Sequence, residues 1–362
     1  RQMCIRDSNR CMKCYEYNVV GCAFDYAPVL TGVAILSYSE NEAISIPECL
    51  PFRGPWGENI TVSIYDNSCH PLPRGIHIFY LSIIERKFYK IDRCLPQNLI
   101  YSEWEKGIIN GNGSIYEKII VGMSPYGGTA IWLSGSDKQK LLLWFHGSQV
   151  DITMNQFLPE NPNISLNELC DFYINNYAQV KSYLKCNGLP PQKIFDNYMQ
   201  QFTYRYLLFW GKWNDDEEIR WQKYKDEEIQ PEFDYIEESL IDGTFDKLHD
   251  NGLLKYHNAG KPKKIAIKWH INKSEYTAYF WFDEEKTCLI FERFYGAHPD
   301  TNTDFIIRID AEKKKYELAL FRQGLKEPQI IPEDAYQLLV FKNKFEDYRS
   351  DNYNQERGAW IW

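Results

Sequence analysis

Cysteine and histidine are the residues best equipped for nucleophilic and metal chemistry, and this chain has ten of the first and seven of the second. Their spacing assembles nothing locally. Cys11-Met-Lys-Cys14 is a lone C-x-x-C with neither a second pair nor a histidine nearby, whereas a structural zinc site needs four ligands. Cys22, Cys49, Cys69, Cys94, Cys170, Cys186 and Cys288 are scattered and are expected to be free thiols in apolar positions. His77 alternates between Ile76 and Ile78, His146 sits near a strand end, and His257, His270 and His298 have no partner at ligand spacing. The H-E-x-x-H, G-x-S-x-G and Walker patterns are missing. Asn110-Gly-Asn-Gly113 follows a helical stretch rather than a strand, which makes it a turn and not a phosphate cradle. No catalytic residue, metal or cofactor is expected.

One polar and aromatic set stands out as a binding candidate: Glu85, Lys87, Tyr89 and Trp132. Glu85 and Lys87 are two apart, so on a strand they share a face, with Phe88 turned to the core and Tyr89 as its outward neighbour. Two readings follow. Glu85 and Lys87 form a surface ion pair worth under ~1 kcal/mol, or the set forms a patch on which a tyrosine anchors a partner.

Composition narrows the partner. The 362 residues carry a net charge of −9 and an aromatic content of 16%. A nucleic-acid binder needs a cationic footprint. The short basic runs Lys313-Lys314-Lys315 and Lys261-Pro-Lys-Lys264 are read as solvated loops. No apolar run reaches bilayer-spanning length.

The elements that would position these residues read as an α+β fold of two tandem ββαββ units, each an antiparallel sheet packed by a helix, with a helical linker between them. Pro73-Arg-Gly-Ile76-His-Ile78-Phe-Tyr80 and Pro262-Lys-Lys-Ile265-Ala-Ile267-Lys-Trp269 alternate apolar and polar at an offset of 189. Gly107 and Gly296, Ala130-Ile-Trp132 and Ala319-Leu-Phe321, and Gly135 and Gly324 share that offset. The repeat units are expected at 73–135 and 262–324. Between the strand pairs, Leu99, Ile100 and Trp104 give the first helix its apolar face, and Gly107 ends it. Ser165-Leu-Asn-Glu168 is a capping box that opens the linker helix. The halves are expected to span 9–190 and 191–362. Arg1 to Ser8 reads as the translation of a sequencing-library transposon adapter in metagenomic DNA, which would remove the natural start.

Ile76-x-Ile78-x-Tyr80-x-Ser82-x-x-Glu85-x-Lys87-Phe88-Tyr89 is followed by Tyr116-x-x-Ile119-Ile120-Val121-Gly122, Pro125-x-Gly127 and Trp132-Leu133-x-Gly135. This pattern resembles a family of uncharacterised Bacteroidetes lipoprotein-like proteins, domain of unknown function 2931. Tyr15-x-Tyr17, Cys22, Tyr26 and Pro28, the stretch from Asp196 to Trp213 and the second repeat are similar to it too, so the likeness is expected over the whole chain after residue 8. Tyr80 stands where a tryptophan is usual, and the tail from Phe341 to Trp362 departs from the pattern. The resemblance implies a location in the cell envelope, periplasmic or as a surface lipoprotein, and no established activity or catalytic residue. Its lipid anchor would precede this fragment; a cytoplasmic location is the alternative. The leading expectation is an envelope protein that binds another protein, in its narrower form an immunity or inhibitor protein against a secreted antibacterial toxin. The alternatives are a carbohydrate-active or other hydrolase with a cleft between the repeats, and a structural envelope lipoprotein.

Overall fold

Alternation along one strand in each half sets the architecture. In Gly75–Ser82, Ile76, Ile78 and Tyr80 are buried in one cluster, while Phe79 and Leu81 face a second. In Pro262–Ile271, Ile265, Ile267 and Trp269 play the first role. A computed structural model describes residues 13–46, 56–58, 69–108, 115–161, 163–210, 232–249, 255–271, 274–296, 298–310, 315–342 and 360–361. The adapter-like residues 1–8, the segment 110–113 and Lys313-Lys314 lie outside the described residues. The chain is mixed α and β, mostly strand, and divides into two compact units, Arg1–Phe195 and Asp196–Trp362.

In the first unit the strands are β1 (Tyr15–Glu16), β2 (Asn18–Ala23), β3 (Val29–Ser37), β4 (Ala43–Ser45), β5 (Cys69–His70), β6 (Gly75–Ser82), β7 (Lys87–Cys94), β8 (Lys118–Met123), β9 (Gly128–Ser134), β10 (Gln139–His146) and β11 (Ser148–Val150). Helix α1 (Gln97–Lys106) lies between β7 and β8; α2 (Met154–Phe157), α3 (Leu166–Asn176) and α4 (Ala178–Asn187) follow β11, and α5 (Gln192–Met199) begins in this unit and ends past its last residue. One sheet runs β4-β3-β6-β7-β11 and another β2-β8-β9-β10, in which β2 and β8 are parallel. The expectation of one antiparallel sheet per ββαββ segment is therefore corrected: β6–β7 and β8–β9 lie in different sheets. The core between their faces includes Ile76, Tyr80, Tyr89, Val121 and Leu133. Trp104 of α1 is fully buried there, against Tyr15, Tyr17 and Tyr116. Leu99, expected on the same helical face, is exposed. Gly107 closes α1 in right-handed backbone, and a Cβ there would lie 2.7 Å from Tyr116, so close packing and not a left-handed turn requires the glycine. A second cluster, with Leu81, Phe88 and Phe157, covers the opposite face of β6–β7 beneath α2 and α3. The capping box of α3 forms as its spacing predicts: Ser165 Oγ accepts from the Glu168 amide, and the Glu168 carboxylate accepts from the Ser165 amide.

The second unit has β12 (Phe202–Trp210), β13 (Glu232–Leu240), β14 (Phe245–His249), β15 (His257–Ala259), β16 (Pro262–Ile271), β17 (Ser274–Phe282), α6 (Glu284–Tyr295), β18 (Thr303–Asp310), β19 (Lys315–Arg322), β20 (Gln329–Ile331) and β21 (Tyr336–Lys342). Its neighbours run β14-β13-β16-β17-β21 and β15-β12-β18-β19-β20, with β12 and β18 parallel. Both units break the ladder beside the central strand at the same point. Thr31 pairs with Tyr80 and Val33 with Phe79, leaving Gly32 extra; Phe233 pairs with Trp269 and Tyr235 with Lys268, leaving Asp234 extra. The offset of 189 holds on β6 and β16 and again at Gly107 and Gly296, which close α1 and α6, but not on the other strands. Ladder register and core faces align Ile119 with Phe305, an offset of 186, and Ile131 with Leu318, an offset of 187. Ala130-Ile-Trp132 therefore corresponds to Glu317-Leu-Ala319. The slip starts at the turn from β16 to β17, two residues shorter than the turn from β6 to β7. Among the described residues no helix is long and apolar enough to cross a membrane.

Trp132 is fully buried, edge-on to Trp56 with ring centroids 5.1 Å apart. Trp132→Ala is expected to destabilise the protein by about 3–5 kcal/mol through the cavity it leaves, read as a lowered midpoint in chemical denaturation. A change below about 1 kcal/mol would show that the site collapses without loss.

Candidate functional site

Glu85 stands not on a strand but in the four-residue turn between β6 and β7. The next residue, Arg86, has φ of 59°, and Tyr126 in the 3₁₀ turn Pro125–Gly127 has φ of 60°. Left-handed backbone costs an L residue about 1–2 kcal/mol, so something must hold both turns. The Tyr126 amide donates to Glu85 Oε2 at 2.7 Å, and the Tyr89 hydroxyl donates to Oε1 at 2.8 Å. Arg86 reaches α3, donating to Asn167 Oδ1 at 2.9 Å and to Asp171 Oδ1 at 2.6 Å. The Tyr126 hydroxyl donates to the Pro190 carbonyl at 2.8 Å, and His146 Nδ1 lies 3.0 Å from the Tyr126 carbonyl. Tyr80 adds a buried bond from its hydroxyl to the Ser124 carbonyl. Burial, then the Glu85 hydrogen bond, raises the Tyr89 pKa well above the ordinary phenol range. A carboxylate with both oxygens engaged by donors clamps two turns; it is poorly placed to relay a proton.

The four sequence candidates thus separate. Glu85 and Tyr89 come together, with Tyr89 buried beside Tyr80 instead of facing outward. Phe88 is buried on the opposite face against Phe157. Lys87 is exposed at the start of β7, and Glu85 turns to Tyr89 and Tyr126 in place of it. Trp132 belongs to the core. Arg86, Tyr126 and His146 were not among the candidates. The signal for Tyr126 was its place in Pro125-Tyr-Gly-Gly128, where the turn demands a left-handed residue.

The second unit holds a buried carboxylate. Glu238 on β13 accepts from the Tyr206 hydroxyl at 2.6 Å, and its other oxygen lies 3.3 Å from His257 Nε2. Burial drives the His257 pKa down, but Glu238 outweighs it and the net shift is upward. Burial chiefly raises the pKa of Tyr206, which therefore stays a neutral donor. The group ties β12, β13 and β15 together. Among the described cysteines Cys22, Cys170 and Cys288 are buried, while Cys14, Cys69, Cys94 and Cys186 are exposed, against the expectation of mostly apolar positions. Burial pushes the thiols of Cys22 to about 12 and of Cys170 and Cys288 to about 11, away from nucleophilic use.

Residues 32–194 match the model of a family described as Protein of unknown function (DUF2931). The matched stretch lies inside the first compact unit and contains the whole Glu85 clamp. No curated protein and no solved structure matches the chain.

The raised His257 pKa fixes the sign of a pH dependence. Its contribution to stability is fully present below the ordinary imidazole value of 6.5 and is lost as pH rises through the higher folded value. The melting temperature of the wild type should therefore fall across this range more than that of His257→Gln. An equal or opposite slope would contradict the Glu238 pairing.

Proposed function

We propose that this chain is a binding protein of the bacterial cell envelope, built from a tandemly duplicated fold, that recognises another protein through the rim of its first unit. The observation that carries this reading is the pair of left-handed residues at Glu85: Arg86 follows it in the turn, and the Tyr126 amide donates to its carboxylate. Strained backbone persists where the surroundings hold it, and such places concentrate at recognition and switch sites. Exposed apolar side chains neighbour the clamp residues along the chain. Phe172, 59% exposed, follows Asp171, which holds Arg86; Leu189, 49% exposed, precedes Pro190, which holds Tyr126. Apolar groups on a rigid polar frame suit a protein interface, because little conformational entropy is lost on docking. The net charge of −9 suits a basic partner. In its narrower form the partner is a secreted antibacterial toxin which this chain neutralises. The envelope location and the lipid anchor rest on the family resemblance.

The test is affinity for a toxin encoded beside the intact gene, with the double variant Phe172→Ala and Leu189→Ala. The variant should keep the wild-type melting temperature and lose affinity by at least about tenfold, as loss of two interface anchors implies. Undiminished affinity of a folded variant would remove the rim from the interface.

A further inference from the structure

The bulge in β13 places a residue where regular pairing would not. Further along the ladder Ile236 pairs with Ile267, and both belong to the core. Continued without a break, that register would set position 234 opposite Trp269, on the core face. Phe233 takes that pairing instead, and Asp234 becomes the extra residue. Its carboxylate emerges on the face opposite the core, where Oδ1 lies 3.0 Å from His270 Nδ1. His270 pairs across the ladder with Glu275, whose Oε2 lies 3.4 Å from His270 Nε2. One donor atom from each of Asp234, His270 and Glu275 falls within 4.8 Å of the others. Their side chains are 33%, 37% and 28% exposed, open enough for an ion to enter.

We propose that Asp234, His270 and Glu275 form a binding site for a divalent first-row cation of the Mn2+ class. One imidazole nitrogen and two carboxylate oxygens are the donors such an ion takes, with water completing its shell, whereas softer thiolate sites select zinc or copper(I). Lys268 is part of the design. Its Nζ lies 2.8 Å from Glu275 Oε2 and 3.7 Å from Asp234 Oδ2, so it supplies one positive charge to the two carboxylates. An entering dication displaces that ammonium, which can swing to solvent on its flexible stem. The first unit has the bulge without the donors. Gly32 is its extra residue, and Phe79 and Leu81 stand where Lys268 and His270 stand in the second. There the face is packed beneath helices, and a Cβ on Gly32 would lie 3.1 Å from Phe157. The bulge is thus common to both units, and the ligating side chains belong to the second alone.

Electron paramagnetic resonance of Mn2+ titrated into the full chain tests the site, because the free thiols compete poorly for this ion. One ion per chain should bind. Asp234→Asn and His270→Gln, both near-isosteric surface changes, should each weaken binding by at least about tenfold. Lys268→Met should tighten binding, an effect that damage to the fold could not produce. The proposal is overturned if the wild type holds no Mn2+ at millimolar concentration. It is equally overturned if both ligand variants bind as well as the wild type, or if Lys268→Met fails to tighten binding.

Discussion

Both units depend on the burial of one central strand between two neighbours. Ile76, Ile78 and Tyr80 in β6, and Ile265, Ile267 and Trp269 in β16, supply the side chains against which the facing sheet closes. Burying a large apolar side chain contributes roughly 1.5–3 kcal/mol, and three per strand fix the register, since a slip by one residue would turn all three to the other face. The ladder breaks between the pairs of Tyr80 and Phe79 in one unit and of Trp269 and Lys268 in the other, each time with an extra residue on the neighbouring strand. From that break the two units take separate uses. Helices cover the bulge face in the first, and polar donors occupy it in the second.

Strands with a strict period of two were legible in the sequence, as was the α3 capping box, because each is a local pattern. The fixed offset of 189 failed on the later strands, because a turn two residues shorter in the second unit is invisible to a comparison of apolar residues alone. Tyr89 was placed outward because alternation assumes one wet face. Strand β7 is buried on both, Tyr89 toward the main core and Phe88 toward the helices, so the assumption does not hold there. Trp132, offered as a binding residue, lies on β9, which is buried along its whole length. The clamp and the donor cluster depend on chain reversals. Glu85 meets Tyr126 across 41 residues and Asp234 meets His270 across 36, through a turn and a bulge that no local periodicity announces.

These sites also show how carboxylates are used here. Glu85 and Glu238 are each committed to a tyrosine hydroxyl and to one further group, an amide in the first case and an imidazole in the second. Fully partnered polar groups rigidify a fold. Asp234 and Glu275 instead share one lysine, Lys268, on the face opposite the core. One unit thus holds a carboxylate committed to fixed donors, and the other a lysine shared between two carboxylates.

The clamp is the central claim, and the hydrogen exchange rate of the Tyr126 amide tests it most directly. In a turn near the surface this amide has one partner, Glu85 Oε2. It should exchange slowly in the wild type and markedly faster in Glu85→Gln, while the amides of β6 keep their protection. Fast exchange in the wild type, or an unchanged rate in the variant, would contradict the account.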